Sequence, residues 1–429
     1  MAIAGTLIES EAATLNFVRR NSSIPVPEVF ASCPTRSNEI GVPFILMSKA
    51  PGSPLSDWTW KASRSPLSQD RCPCLPWTAK QKVMFQLGQI ASQLSKLPFD
   101  KIGSIFEDAA SFDVKECLAM PYLLHERDEL RSNFSQGPFT EESEYYKSLI
   151  EAYLSHAEML PMEYHAFLAP VPMSDEYDKF EDYRAATDRW NDFVAVGSMI
   201  DSAKNRLEYI VVGELLQEMI PSLALTLPSS EDTKSPGFFL SHPDLSPSNI
   251  FVDDDFNITN IIDWAFASTV PFSTLLIPPG MPHPRNDTDP LLRPAFYEGF
   301  EEGGGKQLAP RDILSERCRR AWLFNRLISL DSLQEYPLFA ELYRMVHGDE
   351  DFRHLFRKIK AQKKFVEKAE SLAEYEMPKS DILQEEIDYF SHVGFDRLAI
   401  SRKLVLASEM NQEFVADKRL WMWLREALG

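Results

Sequence analysis

The chain reads as an α+β protein in two unequal lobes: a small partial sheet, a hinge, then a large, mainly helical body holding one hairpin. Three observations predict this class. Short β-like runs occur early, at Val29 to Cys33 and Phe44 to Ser48, and again as one later pair, Ile250 to Val252 and Ile258 to Ile262. The Pro/Gly-rich stretch APGSPL follows Lys49 and marks a boundary, giving expected lobes of 1–49 and 50–429. Beyond Arg311 apolar residues recur at helical spacing almost to the end.

The elements follow in order. Residues 9–20 place Ala12, Leu15 and Val18 on one helical stripe, widened by Ala13 and Phe17. Pro25 and Pro27 then hold their predecessors out of the helical region. The polar stretch Pro34 to Gly41 joins the first two strands as a hairpin loop. Residues 56–77, with three tryptophans, are irregular. Thr78 and Gln81 have capping-box spacing ahead of a helix whose stripe is Val83, Leu87, Ile90, Leu94 and Leu97. Leu207 to Ile220 predicts a core helix halted by Pro221. Further helices are expected over 311–331, 336–347, 350–374, 380–391 and 396–427, and there is no internal repeat.

Composition narrows the function classes. With 64 acidic against 44 basic side chains, the net charge of −20 disfavours nucleic acid and anionic lipid as partners. The basic cluster Arg357 to Lys368 reads as the solvated face of a helix. Five cysteines, Cys33, Cys72, Cys74, Cys117 and Cys318, fit neither a disulfide framework nor a zinc site. The opening residues carry no leader pattern, and no window approaches the roughly 18 uninterrupted apolar residues of a membrane span. A cytoplasmic, membrane-free protein is the expectation; oligomeric state is not set by the sequence.

Chemistry concentrates in SHPDLSPSNIFVDDDFNITNIIDW, from Ser241 to Trp264. The turn DDDFN folds Ile250–Val252 back onto Ile258–Ile262, so Asn249 and Asp263 end near each other although 14 positions apart. Asp244 shares a loop with Asn249. A carboxylate to take a hydroxyl proton, plus a second carboxylate and an amide as hard ligands for magnesium, is the set that phosphoryl transfer requires. Taken alone, an Asp and an Asn in a turn are ordinary turn formers. Asp253, Asp254 and Asp255 read as solvated turn acids, and His283 as a plain loop histidine.

HPDLSPSN resembles the HxDxxxxN catalytic loop of kinase-fold enzymes, and IIDW resembles the metal-binding segment of the aminoglycoside phosphotransferase and choline kinase-like family. The stretches EAATLNFVRRNSSIPVPEVF, GVPFILMSKAPGSPL and FDKIGSIF resemble that family's first helix, sheet, hinge and early C-lobe in the same order. The resemblance implies a bilobal protein kinase-like fold with a truncated N-lobe sheet, using ATP and Mg2+ to phosphorylate a small-molecule hydroxyl. It makes Asp244 the catalytic base or acceptor-orienting carboxylate, Asn249 and Asp263 the metal ligands, and His242 the structural support of the loop. Glu11 becomes the helix glutamate that pairs a phosphate-anchoring lysine, and Met47, Ser48 and Lys49 the hinge whose backbone would meet adenine. The acidic balance, with Trp421 and Trp423, suits an amine-bearing acceptor, while the place of those tryptophans either side of Met422 on a terminal helix favours core packing.

The pattern has one gap. Only ten residues precede Glu11, with one glycine and no lysine, so the expected glycine-rich loop and lysine strand are not seen. Three explanations stand: part of a longer enzyme sequence, an atypical kinase that anchors phosphate through another residue, or a catalytically silent kinase-fold binding protein.

Overall fold

A computed structural model describes residues 2–60, 73–109, 111–162, 203–224, 237–305, 311–330, 335–348 and 352–374, with 165, 167, 178–179 and 181–183. The class is α+β, as expected. The chain divides into two compact units. The first takes in Met1–Ala62, Arg71–Tyr153 and Leu216–Ser329; the second takes in Ser63–Asp70, Leu154–Leu215 and Leu330–Gly429.

The elements begin with α1 (Ala2–Asn21), β1 (Val29–Cys33), β2 (Phe44–Met47), β3 (Ser53–Pro54) and α2 (Trp77–Leu94). Then come β4 (Pro98–Phe99), β5 (Ile105–Asp108), β6 (Ser111–Val114), α3 (Met120–Leu123), α4 (Glu142–Met159) and α5 (Ala203–Leu223). The middle of the chain adds β7 (Phe238–Ser241), β8 (Ile250–Val252), β9 (Ile258–Ile261), β10 (Ser268–Val270), α6 (Phe272–Leu275) and α7 (Arg293–Glu302). Four more helices complete the order: α8 (Arg311–Ser329), α9 (Tyr336–His347), α10 (Phe352–Lys360) and α11 (Lys363–Ala373). Among the described residues the strands form four small sheets, β1–β2, β10–β7–β4, β3–β8–β9 and β5–β6, antiparallel throughout.

In the first unit one core joins the helices to the site hairpin. Leu15 and Val18 of α1, Val83 and Leu87 of α2, and Phe296 and Phe300 of α7 bury with Ile250, Val252 and Ile261. Each such side chain contributes about 1.5–3 kcal/mol on burial. α2 and α7 approach at backbone distance because Gly88 faces the Phe296 carbonyl and Gly299 faces the Phe85 carbonyl, leaving no room for a Cβ at either. α1 is held to β5 by Glu107, which accepts hydrogen bonds from Asn16 at 2.8 Å and Arg20 at 2.6 Å. Its buried stripe is the expected one, with Phe17 against Phe99 and Phe112.

The second unit centres on Phe167, whose ring meets Tyr209, Tyr336, Phe339 and Phe356. Beside it the Glu335 carboxylate takes the Tyr209 hydroxyl and lies 3.3 Å from His165 Nδ1, all buried. The basic cluster lies mostly exposed on α10 and α11, as expected, and is ion-paired as well. Lys360 meets Glu208 at 2.7 Å, Lys368 meets Glu158 at 2.8 Å, and Lys364 meets Glu214.

Several boundaries depart from the sequence reading. α1 starts at Ala2, seven residues early, since AIAGTLI continues the helix without a breaker. The Thr78 capping box does not form: α2 begins one residue earlier, at Trp77, behind Pro76, so Thr78 lies inside the first turn. Pro221 does not halt α5, because it sits in the last turn, where little helix remains to disrupt. The single helix expected over 350–374 is two within the described residues 352–374, broken where Gln362 turns extended at φ −68°, ψ 144°. The helices expected over 380–391 and 396–427, with Trp421 and Trp423, lie outside the described residues. No helix among the described residues is long and apolar enough to cross a membrane.

Candidate active site

The hairpin builds the site first. Ile250 pairs with Ile261, both fully buried, and this register fixes what lies just beyond each strand. The N–H of Ile262 donates to the carbonyl of Asn249 at 3.0 Å, so the chain enters β8 at Asn249 beside the point where it leaves β9 for Asp263. Asp263 has φ +62°, a left-handed turn that an aspartate tolerates better than most residues. The next residue, Trp264, is buried and donates from Nε1 to the Ile261 carbonyl at 3.1 Å, pinning that turn from below.

His242 is the bracket between loop and hairpin. Its Nδ1 accepts the Asp244 N–H at 3.1 Å, which leaves Nε2 to carry the proton and donate to the Ile262 carbonyl at 2.9 Å. The ring stands edge-on to Trp264, centroids 4.8 Å apart. Burial pushes its pKa down to about 4, so it is neutral near pH 7.

Asn249 Nδ2 donates to both the backbone carbonyl and Oδ2 of Asp244, at 3.0 and 3.1 Å. Both partners are acceptors, so the amide orientation is fixed and Asn249 Oδ1 is left for another ligand. The Asp244 carboxyl is held above its usual range by burial, aided by the charge of Asp263 and offset by Ser246 and Asn249. Asp263 is raised too, by burial, with the Ala265 N–H opposing. Glu11 is pushed up to about 7 by burial and then by Asp263, with the Trp264 N–H opposing.

Six of the eight residues singled out in the sequence line one cleft of about 540 Å³: Glu11, Met47, Ser48, Lys49, Asn249 and Asp263. Asp244 and His242 stand behind Asn249 through the hydrogen bonds given above. The backbone of the expected hinge, Met47 to Lys49, is only partly free. The Ser48 N–H is committed to the Glu28 carbonyl at 2.8 Å, and Ser48 Oγ accepts the Glu28 N–H at 2.9 Å. The backbone of Lys49, by contrast, makes no hydrogen bond among the described residues.

Four lining residues were not foreseen: Pro27, Ala50, Phe251 and Ile262. Strand alternation could have found two of them. Ile250 and Val252 turn into the core, so Phe251 between them faces the other way, and Ile262 follows buried Ile261 in the same sense. The turn acids behave as solvated residues: Asp253 Oδ1 accepts the N–H groups of Asp255 and Asn257 at 3.0 and 2.8 Å. His283 is not among the lining residues and instead accepts the Arg285 N–H at 3.2 Å.

The oxygen set fits a magnesium ion. Asn249 Oδ1 and the Asp263 carboxylate are hard donors on adjoining chain ends, the number a protein usually gives Mg2+ before phosphate oxygens and water complete its shell. Among the described residues no group of three His, Cys, Asp or Glu could hold a metal unaided.

No protein-family profile matches the chain. Altered inheritance of mitochondria protein 9, mitochondrial, of Saccharomyces cerevisiae is 26% identical over 284 residues, covering 62% of this chain and 42% of that protein. The protein of the same name in Clavispora lusitaniae is 25% identical over 290 residues, with the same coverage of 62% and 42%. The chain thus spans about two fifths of the length of the curated relatives it matches. Solved structures similar to it include the macrolide 2'-phosphotransferase of Brachybacterium faecium, at 15% identity, TM-score 0.34, covering 84% of this chain and 81% of that one. The GDP and kanamycin complex of APH(2")-IIia gives 15% identity and TM-score 0.37, covering 84% of each chain. Likeness at this level fixes neither substrate nor activity.

The relatives correct one expectation. A cytoplasmic location was read from opening residues that carry no leader, whereas the matching relatives are named as mitochondrial proteins. The first residues of a chain that spans two fifths of its relatives are no guide to where a longer protein is sent.

Proposed function

We propose that this chain carries the nucleotide- and metal-binding core of a phosphotransferase that passes the γ-phosphate of ATP to a hydroxyl of a small molecule. One observation carries the reading. Glu11, Met47–Lys49, Asn249 and Asp263, up to 252 positions apart, line a single cleft, and Asp244 is hydrogen-bonded to Asn249. No local folding rule assembles that set. The boundary after Lys49 is read as the hinge between lobes, and the relatives' names support a mitochondrial setting.

In this reading Asn249 Oδ1 and Asp263 would hold Mg2+, which neutralises phosphate charge when bound. The apolar side chains of Pro27, Phe251 and Ile262 cover the faces of the base, while the free backbone of Lys49 meets its edge. Asp244 orients the acceptor hydroxyl and takes its proton on the carboxylate. The raised affinity of that carboxylate for protons, from burial, brings it closer to the range where a base works. His242 keeps the loop in register without gaining or losing a proton near neutrality. An amine-bearing acceptor suits the acidic surroundings.

A second reading, a silent kinase-fold binding protein, is favoured by one observation: Glu11 has no cationic partner among the described residues. Thermal unfolding with Mg-ATP tests both readings. Binding to the folded state raises the melting temperature, and Asp263→Ala abolishes the rise. The absence of any magnesium-dependent rise in wild type removes the enzyme reading. A rise without ATP consumption across a panel of hydroxyl-bearing metabolites selects the silent one.

A further inference from the structure

Glu11 stands in the cleft without the partner that the resemblance gives it. Among the described residues it makes no ion pair, and Lys49 of the same cleft does not meet it. Its carboxyl lies instead against the Trp264 N–H and within the field of Asp263, so α1 delivers it to the end of the cleft where β9 runs out. Two carboxyl groups held together there repel each other when both are ionised, unless a cation stands with them. A third oxygen belongs to the same wall. Asn249 is only 7% exposed, lines the cleft and commits its Nδ2 to Asp244. Its Oδ1 makes no hydrogen bond among the described residues. An acceptor so deeply buried calls for a donor or a cation.

We propose that Glu11 is a third oxygen ligand, beside Asn249 and Asp263, for a divalent cation, and that the cleft takes up this cation before any nucleotide arrives. This rests on the metal assignment above and deepens it. An amide and one carboxylate leave Mg2+ dependent on phosphate oxygens, whereas a second carboxylate adds both a donor and a charge. The proton that Glu11 holds at lower pH leaves to solvent as the ion enters, as it must for any ligand carboxyl. The ion then answers the Glu11 charge that the resemblance assigns to a lysine.

The test is Mn2+ titration without nucleotide at pH 8, followed by loss of the free-ion electron paramagnetic resonance signal. It compares wild type, Glu11→Gln, Asp263→Asn and, for the exposed acids of the hairpin turn, Asp254→Asn. Wild type is expected to bind Mn2+ at a site from which Mg2+ displaces it. Glu11→Gln and Asp263→Asn should each weaken that site roughly tenfold or more, and Asp254→Asn should leave it unchanged. Melting temperatures give a second readout. Without the ion Glu11→Gln should melt above wild type, because a repulsion is gone, and with Mg2+ that difference should close or invert. Equal Mn2+ affinity in wild type and Glu11→Gln overturns the proposal. So does wild type that takes up Mn2+ only with ATP, a result that leaves the nucleotide reading standing. Glu11-dependent uptake of Mn2+ without any rise in melting temperature on Mg-ATP supports the cation site and removes the phosphotransferase reading instead.

Discussion

The Nε2 proton of His242 ends on the carbonyl of Ile262, 2.9 Å away and 20 positions along the chain, while Nδ1 receives the N–H of Asp244. One neutral ring thus fixes the loop of Asp244 to the hairpin that ends in Asp263. His242→Ala should destabilise the first unit by about 2–4 kcal/mol, from a cavity and two orphaned backbone groups, measurable by urea unfolding. The ring itself should show no titration by NMR between pH 5 and 8. An unfolded chain, with histidine near 6.5, takes up this proton more readily than the fold, where the value is about 4. Stability from the ring is full above about pH 6.5 and is lost as pH falls towards 4.

Glu11 gives the opposite slope. The fold holds its proton more tightly than the unfolded chain, at about 7 against 4.5. Its contribution is therefore full below about pH 4.5 and falls as pH rises to about 7. Glu11→Gln should raise stability at pH 8 by roughly 1–3 kcal/mol and remove this slope, read from melting temperatures across that range. Between about pH 4.5 and 6.5 the two residues offset each other in wild type, so each slope should emerge only when the other residue is replaced.

Asn249→Asp replaces the amide that donates to Asp244 with another acceptor, next to Asp263. Without magnesium the variant should be less stable by about 1–3 kcal/mol, the cost of a buried group losing its donor. With magnesium it should recover part of that loss and show a larger magnesium-induced rise in melting temperature than wild type. Equal losses with and without the ion would mean that no cation sits between these side chains.

Gly52 lies just past the hinge with φ +87°, its Cα facing the Val252 carbonyl and 2.8 Å of room to Thr259 Oγ1 where a Cβ would stand. Gly52→Ala combines a disfavoured backbone with backbone contact that cannot yield. A loss of about 2–4 kcal/mol is expected by chemical denaturation, together with weaker nucleotide binding, because the strand pair beside the cleft has to separate.

Much of this was legible in the sequence, and the reasons differ by element. The hairpin was readable because Ile250, Val252 and Ile258–Ile262 flank a turn of acids and an asparagine, and the pairing of chain ends follows from two-strand geometry alone. α1 was readable by its stripe but not by its start, since nothing in AIAGTLI resists a helix. The convergence of Glu11 and Lys49 on the hairpin was not derivable from any local pattern. It depends on the long-range core of Leu15, Val83 and Ile261, and only the resemblance to a known family suggested it. Phe251 is legible from alternation alone, since it stands between Ile250 and Val252, which turn into the core. The ion pairing of Lys360 and Lys368 could not be read, since their acids lie 152 and 210 positions away. The cytoplasmic expectation failed for another reason: an address is a property of a whole gene product, and chain physics does not encode it.

The segment after Ala50 carries a mechanical consequence. Ser53 pairs with Val252, and Thr259 donates its hydroxyl to the Pro51 carbonyl at 2.6 Å, so both strands of the site hairpin are riveted to the stretch that follows the hinge. The wall that would hold the base and the floor that would hold the metal are therefore joined along one rim and cannot slide past each other there.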